Sequence, residues 1–325
     1  MKKNLHTRLT SLISLVILLT FILSGCGGGD LTASTSAGGK DKVLRFAYTK
    51  SISPASLAKE RGTLEKKLKD KGIKLEWVEF QTGPQMFEAI RANSVDLINS
   101  GNMHAVYAQA NKTPFVYIAG VSGPNFSLLV PKNSPIKSLN DLRGKKVAYP
   151  KGSVSEYMLY EVLDKAGLKK NEVDEKPLLP SDAMTAFQGG NIDAWIIWEP
   201  YITMVEELLQ GNVLQSSDGL MPSLGFYNAR REYAQNNKEI IDIVLQDLKE
   251  NGEWMTGNPK EAAKILGEQT GMDADIFEKV IRKAKHHIVP LDEKVIAEQQ
   301  KFSEGMLQKG FISQPVKMED YLIKK

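Results

Sequence analysis

Several short polar turns in this chain could together bind an anion. Each follows a segment that reads as a buried strand, and they are Thr49-Lys50-Ser51, Gln81-Thr82-Gly83, Ser100-Gly101-Asn102 and Gly152-Ser153-Val154. Small residues and hydroxyls at the start of a helix leave backbone N–H groups free, and the helix dipole favours negative charge there. One helix terminus contributes only about 0.3–1 kcal/mol, whereas micromolar affinity needs about 8 kcal/mol, so several turns must meet at one site.

Each of these residues also has a purely structural interpretation. Ser153-x-x-Glu156 has the spacing of a capping box, in which the serine hydroxyl satisfies the first turn of a helix. The same hydroxyl could cap the helix and contact a ligand. Lys50 and Lys151, taken singly, are typical of solvated surface lysines.

The string Trp195-Ile196-Ile197-Trp198-Glu199-Pro200-Tyr201 is the most unusual one in the chain. Strand alternation places Trp195 and Trp198 on opposite faces. Trp198, at the strand end, is either a core residue or the wall of a cleft that covers the apolar part of a ligand. Glu199 follows it directly and belongs to the same candidate site.

Signals for catalysis or metal binding are weak. Beyond the first 25 residues the histidines are His104, His286 and His287. The adjacent pair cannot place both rings on one helix face, and no nucleophile elbow, phosphate loop or His-Glu-x-x-His motif is present. His104 is the best single catalytic candidate, but no acid is spaced to orient it, which favours a role at a cleft rim or a helix cap. The sequence therefore predicts no catalytic residue, no metal and no cofactor.

The elements that must position these turns alternate between strand and helix. Strand patterns over residues 43–48, 73–80 and 95–98 are separated by helical patterns over about 56–70 and from Gly83-Pro84 onward. This alternation predicts mainly parallel sheets in the α/β class. A similar order recurs about one hundred residues later, where residues 147–153 echo 46–51 and residues 186–193 echo 89–96.

The recurrence predicts two domains of like topology. The segment after residue 230 is helical in pattern, so we expect it to pack back on the first domain. Residues 42–129 and 227–325 then form domain I, and residues 130–226 form an inserted domain II. The chain would cross between them near Leu128-Leu129-Val130 and near Phe226-Tyr227, and the cleft between the domains is the expected place for a small ligand.

The amino-terminal segment accounts for both the net charge and the cysteine. Of the 325 residues, Lys+Arg number 42 and Asp+Glu 39, and the excess is Lys2, Lys3 and Arg8. Residues 1–25 read as a signal peptide with a short apolar region. The chain's single cysteine, Cys26, follows the signal peptide directly. Residues 26–41 are small and polar and predict a flexible tether. A body of balanced charge argues against nucleic-acid binding.

These motifs together resemble the substrate-binding lipoproteins of aliphatic sulfonate ABC transporters, a group close to taurine, nitrate and thiamine-precursor binding proteins. The matching strings include Gly83-Pro84-Gln85, Lys151-Gly152-Ser153, Trp198-Glu199-Pro200-Tyr201 and segments 47–50, 61–66, 77–80, 107–110, 130–136 and 141–148. The resemblance implies a two-domain, hinge-closing fold of the type II periplasmic-binding-protein kind. It also implies a monomeric receptor without catalysis, lipid-anchored through Cys26 on the outer face of the cell membrane.

In this interpretation the polar turns hold a sulfonate head, the tryptophan region faces the alkyl tail, and an ABC permease and its ATPase are the partners. The chain departs from the group's pattern at Thr49, where glutamine is usual before the lysine, at Asn102 and His104, where an acid and a proline are usual, and at Glu199, where aspartate is usual. The ligand could therefore be another small molecule, such as taurine, nitrate or a pyrimidine precursor. A pyrimidine-synthesis-type enzyme and a surface sensor that signals to a kinase are the remaining alternatives.

Overall fold

The computed structural model describes residues 42–122, 125–284 and 286–323. The predicted signal peptide, Cys26 and the whole of the predicted tether lie outside these residues. The strands are β1 (Lys42–Tyr48), β2 (Ile73–Glu79), β3 (Leu97–Gly101), β4 (Phe115–Ser122), β5 (Phe126–Val130), β6 (Lys146–Tyr149), β7 (Asp174–Pro177), β8 (Ala194–Trp198), β9 (Asn212–Ser216), β10 (Leu224–Arg230) and β11 (Ile288–Val289).

Helices follow most of the strands. They are α1 (Pro54–Arg61), α2 (Thr63–Lys69), α3 (Gly83–Arg91), α4 (Asn102–Ala110), α5 (Val154–Ala166), α6 (Pro180–Gln188), α7 (Tyr201–Leu209), α8 (Arg231–Asn236), α9 (Lys238–Gly257), α10 (Pro259–Thr270), α11 (Ala274–Lys283) and α12 (Glu293–Gln308). Short 3₁₀ turns occur at Leu139–Leu142, Lys170–Glu172 and Met318–Tyr321. Within the described ranges, no helix combines the length and apolar composition that a membrane crossing requires.

The strands form two sheets that share one five-stranded order, and β11 is an additional edge strand of the first sheet. The first sheet runs β11-β4-β10-β3-β1-β2, and the second runs β7-β6-β8-β5-β9. In the first, β1 pairs in parallel with β2 and β3, and in the second, β6 pairs in parallel with β7 and β8. The α/β class predicted from the sequence is confirmed, and both sheets are mixed: β5 and β10 run antiparallel to both of their neighbours, and the short edge strand β11 runs antiparallel to β4.

β5 and β10 are the strands that enter each sheet directly from the other one. β5 follows β4 along the chain and lies between β8 and β9, antiparallel to both. β10 follows β9 and lies between β3 and β4, again antiparallel to both. The two sheets are therefore joined through interior strands and not through their edges.

Both faces of each sheet are buried, because side chains alternate along strands that helices cover on both sides. In β1, Phe46 and Ala47 contribute to different apolar clusters on opposite faces. In β8, Ala194 and Ile196 pack on one face while Trp195 and Ile197 pack on the other. This two-sided burial fixes the register of the strands and so fixes where each turn emerges.

The chain crosses between the sheets a few residues before the positions expected from the sequence. Leu128-Leu129-Val130 lies within β5, and Phe226-Tyr227 lies within β10. The crossings therefore fall between Ser122 and Phe126 and between Ser216 and Leu224. The apolar runs expected to be hinges are strand interiors, because their side chains fill the two cores.

Candidate functional site

Three of the candidate turns lie at one edge of the first sheet. Tyr48 at the end of β1 is in register with Glu79 at the end of β2, and Ala47 is in register with Ile98 in β3. Because the three strands are parallel, the turns at residues 49–51, 81–83 and 100–102 all emerge at the carboxyl edge. Helices α1, α3 and α4 begin there, so three helix N-termini face the same region.

The other candidate residues share the corresponding edge of the second sheet. β6 and β8 are adjacent and parallel, with Ala148 opposite Trp195. The turn Gly152-Ser153-Val154 follows β6, and Trp198 ends β8 before Glu199. Helices α5 and α7 begin at this edge.

The two carboxyl edges meet at the chain crossings. β10 begins opposite Ser122 and next to Gly101, the last residue of β3. Phe126, the first residue of β5, pairs with Trp198. Its backbone N–H donates to Ser217 Oγ at 3.2 Å, and the Ser217 N–H donates to the Phe126 carbonyl at 2.8 Å, so the two crossings are bonded to each other. The two carboxyl edges that carry the candidate turns therefore both lie at the crossings.

The turn after β1 is closed by its own hydroxyls. The Thr49 carbonyl accepts hydrogen bonds from Ser51 Oγ at 3.2 Å and from Ser56 Oγ at 3.1 Å. Lys50 is exposed, and its Nζ lies 3.4 Å from Glu79 Oε1. An exposed pair of this kind contributes little to stability, so the lysine side chain is held only weakly.

The turn after β2 packs against the ring of His104. Gln85 Oε1 accepts from the N–H groups of Gln81 and Thr82, each at 3.2 Å. Gly83 is buried, and a Cβ at that position would lie 2.3 Å from His104 Nδ1. That Nδ1 atom is buried and has no hydrogen-bond partner in the described ranges. Burial lowers the pKa of His104 to about 4, so its ring is neutral at physiological pH.

The polar side chains after β3 hold the edge of the sheet together. Ser100 Oγ accepts from Asn228 Nδ2 at 2.9 Å, deep within the first sheet. Asn102 is also buried; its Oδ1 accepts from the Met103 N–H at 2.8 Å and its Nδ2 donates to the Pro222 carbonyl at 3.4 Å. Both side chains tie this turn to the segment that returns from the second sheet.

The turn after β6 shows the expected helix cap. Ser153 Oγ accepts from the Ser155 N–H at 3.2 Å and donates to the Pro150 carbonyl at 2.6 Å. Glu156 reaches back to the Gly152 N–H at 2.6 Å, one residue earlier than a standard capping box. The structural interpretation of Ser153 is confirmed, and its contact with a ligand stays a prediction.

The end of β8 combines an aromatic side chain with a half-buried acid. Trp198 is half-buried, and its ring lies 6.2 Å from that of Phe126 at 68°. The Glu199 carboxylate accepts from the Thr203 N–H at 3.0 Å, in the first turn of α7. Burial raises the pKa of Glu199, and the hydrogen bonds from Thr203 and the charge of Lys283 oppose that rise.

Two further side chains near these turns were not singled out from the sequence. Ser155 Oγ is buried at the start of α5 without a partner in the described part of the chain. Lys283, at the end of α11, contacts Glu206 Oε2 at 2.5 Å and Thr203 Oγ1 at 3.1 Å, and so joins α11 to α7. No local pattern marks Lys283, because its partners lie in a distant part of the sequence.

Neither metal chemistry nor cavity shape identifies the site. No group of three or more His, Cys, Asp or Glu side chains among the described residues is arranged to hold a metal. One surface pocket is lined by α5, α12 and residues 219–222, and another by residues 131–135 and the end of α6. Neither contains a candidate residue, so the placement of the turns is what defines the site.

Comparison with known proteins places this arrangement in a family. Residues 53–262 match the family model described as NMT1/THI5 like. A protein of Escherichia coli (strain K12) named as an aliphatic sulfonates-binding protein is 37% identical over 279 residues, which covers 84% of this chain and 86% of that protein. A protein of the same name from Bacillus subtilis (strain 168) is 30% identical over 309 residues, covering 94% and 92%.

Solved structures agree with these matches. The crystal structure of the periplasmic aliphatic sulphonate binding protein SsuA from Escherichia coli superposes with a TM-score of 0.82 at 33% identity, over 87% of this chain and 92% of that one. The alkanesulfonate-binding protein SsuA from Xanthomonas axonopodis pv. citri, bound to MOPS, gives a TM-score of 0.77 at 28% identity, over 87% and 98%. The desulfurization enzyme DszB shares the fold at 11% identity.

Proposed function

Because the chain belongs to the NMT1/THI5-like family, we propose that it is the extracytoplasmic receptor of an ABC importer and that it binds an aliphatic sulfonate. The resemblance to sulfonate-binding proteins expected from the sequence is confirmed. The observation that carries the proposal is the meeting of the two carboxyl edges at the chain crossings, which brings five helix N-termini and Trp198 to one region.

The chemistry of a sulfonate fits these turns. Its head carries one negative charge over three oxygens that only accept hydrogen bonds, which matches backbone N–H groups at helix starts. Its alkyl chain needs apolar cover, which Trp198 supplies. Of the candidate residues, we propose direct contacts for the turns at residues 49–51, 81–83 and 152–154, and for Trp198.

The domain division follows from the same proposal. Residues 42–129 with 227–325 would form one half of the receptor and residues 130–226 the other, with closure over the ligand. The ABC permease and ATPase would take the ligand from the closed form. That the protein acts by binding alone, without catalysis, and works as a monomer is part of the proposal; the relatives at 30% identity or more are named as binding proteins.

We expect the wild-type protein to bind a short alkanesulfonate with micromolar affinity. Calorimetric titration with ethanesulfonate, taurine, sulfate, nitrate and a hydroxymethylpyrimidine would rank the ligands, and tight binding should raise the melting temperature by mass action. The buffers must be free of sulfonates, since HEPES and MOPS belong to the ligand class. Binding of nitrate or the pyrimidine, with no response to any sulfonate, would contradict the ligand assignment.

We also propose that Cys26 carries a lipid after cleavage of residues 1–25. Replacing Cys26 with serine is then expected to release the protein from the membrane fraction, because the acyl chains alone hold it there. Fractionation of expressing cells, with ethanesulfonate binding by the released protein as a control for folding, measures this. Equal membrane retention of the wild-type and Cys26→Ser proteins would contradict the anchor.

A further inference from the structure

His104 occupies an unusual position between two candidate turns. It is the third residue of α4, and its ring lies against Gly83, the first residue of α3. A Cβ on Gly83 would lie 2.3 Å from Nδ1, and a Cβ on Gly101 would lie 3.6 Å from it. The ring can occupy this position only because residue 83 has no side chain.

The surroundings of the ring favour one of its two neutral tautomers. Nδ1 is buried and has no hydrogen-bond partner within the described ranges, whereas residue 104 as a whole is only partly buried. The N-termini of both α3 and α4 point positive charge at the ring, which disfavours the imidazolium form. In the neutral ring, one nitrogen donates and the other accepts. The positive end of α3 favours the lone pair on Nδ1, so the proton belongs on Nε2.

On the premise of the proposed function, we infer that His104 contacts the anionic head of the ligand and donates to it from Nε2–H. The neutral Nε2–H donor of His104 lies beside two helix N-termini, so it favours a ligand head whose atoms only accept hydrogen bonds. A sulfonate head does so at every accessible pH, whereas a neutral pyrimidine edge presents donors as well. His104 is thus a specificity-determining residue of the cleft.

The contact couples ligand binding to protonation. The pKa of His104 without ligand is about 4, and burial is its cause. An anion beside the ring raises that pKa in the complex. A group with a higher pKa in the complex favours binding as the pH falls, so affinity rises as the pH falls through the pKa of the complex and levels off below about 4.

Other ionisable groups at this edge of the sheet can also make binding depend on pH, so their effects must be distinguished from that of His104. Those on α3 and α4, on the strand ends beside them and at the corresponding edge of the second sheet are Lys50, Glu79, Glu88, Arg91, Tyr107, Lys151, Glu156 and Glu199. Lys50 pairs with Glu79, and Glu88 with Arg91. Glu199, whose pKa is raised by burial, would also favour anion binding when protonated, so it requires its own control.

The test is calorimetric titration with ethanesulfonate at about pH 7.5 and about pH 5.5, in amine buffers such as bis-Tris and piperazine. Wild-type affinity is expected to rise by about three-fold or more at the lower pH. His104→Ala is expected to bind about ten-fold more weakly at the higher pH, because it loses a hydrogen bond to a charged group. His104→Gln retains a donor near the Nε2 position, and should keep most of the affinity while losing the pH dependence.

His287→Gln is the matched control, since His287 is an exposed histidine that bonds to Ser122 Oγ through its backbone. The affinity and pH profile of this variant should equal those of the wild type. Wild-type behaviour in both His104 variants would overturn the inference, as would a pH dependence that survives in His104→Gln and disappears in Glu199→Gln. If His104→Ala does not fold, His104→Gln decides alone. Failure of the wild-type protein to bind any sulfonate would instead overturn the proposed function, and the inference with it.

Discussion

Replacing Trp198 with alanine is expected to weaken ethanesulfonate binding by at least ten-fold while the protein stays folded. The side chain ends β8, is half-buried, and contacts Phe126 at the first crossing. Each methylene that it shields from water contributes about 0.8 kcal/mol, so loss of cover over two of them costs about 1.6 kcal/mol, slightly more than ten-fold in affinity. Calorimetry is the suitable measurement, because the substitution also removes a fluorophore.

Two variants make this result interpretable. Trp198→Phe keeps an aromatic face and should recover most of the affinity. Trp254→Ala removes a half-buried tryptophan from α9, where it packs at 4.0 Å under the guanidinium of Arg61, the last residue of α1. It should leave affinity unchanged. Equal binding by Trp198→Ala and the wild type would exclude Trp198 from the site.

Replacing Gly252 with alanine is expected to lower the free energy of unfolding substantially, although alanine is the better helix former. Gly252 is buried in α9, and a Cβ there would lie 2.2 Å from the His286 carbonyl oxygen and 3.5 Å from Pro54 Cγ. A backbone oxygen cannot rotate away, so the helix must move. Overpacking of this kind costs typically about 1–3 kcal/mol, more than the gain of up to about 1 kcal/mol from propensity.

Gly257 in the same helix provides the matched control. Nothing lies within 4 Å of a Cβ at that position, so Gly257→Ala should be neutral or stabilising by up to about 1 kcal/mol. In urea unfolding, the midpoint of Gly252→Ala should therefore fall below that of the wild type. The midpoint of Gly257→Ala should be equal to it or higher. A Gly252→Ala protein as stable as the wild type would show that α9 is not held against residue 286 as described.

The alternation of strands and helices could be predicted from the sequence, because two-sided burial leaves apolar strands between amphipathic helices. The helix expected over residues 56–70 is instead divided into α1 and α2. Leu57, Leu64 and Leu68 are all buried as the periodicity requires. The division occurs at Gly62, whose φ of 64° is left-handed. Apolar spacing carries no information about such a break, although the glycine itself was a signal.

The positions of the candidate turns could likewise be predicted, because parallel strands end at a common edge. What each side chain does there could not. Ser100 and Asn102 look like free polar groups in the sequence, but they are bonded to Asn228 and Pro222, which lie in the returning segment. The contact of His104 with Gly83 also depends on packing between separate helices. Such pairings are set by the tertiary fold and leave no local pattern.

The interior positions of β5 and β10 determine the order in which the two sheets can fold during synthesis. Residues 126–216 contain every strand of the second sheet, so this part can assemble as soon as it has left the ribosome. The first sheet cannot, because β3 and β4 remain separated by an unfilled position until residues 224–230 are synthesised. Closing that gap joins segments about one hundred residues apart, which is the slower kind of event. The half that begins the chain is therefore the half that is completed last.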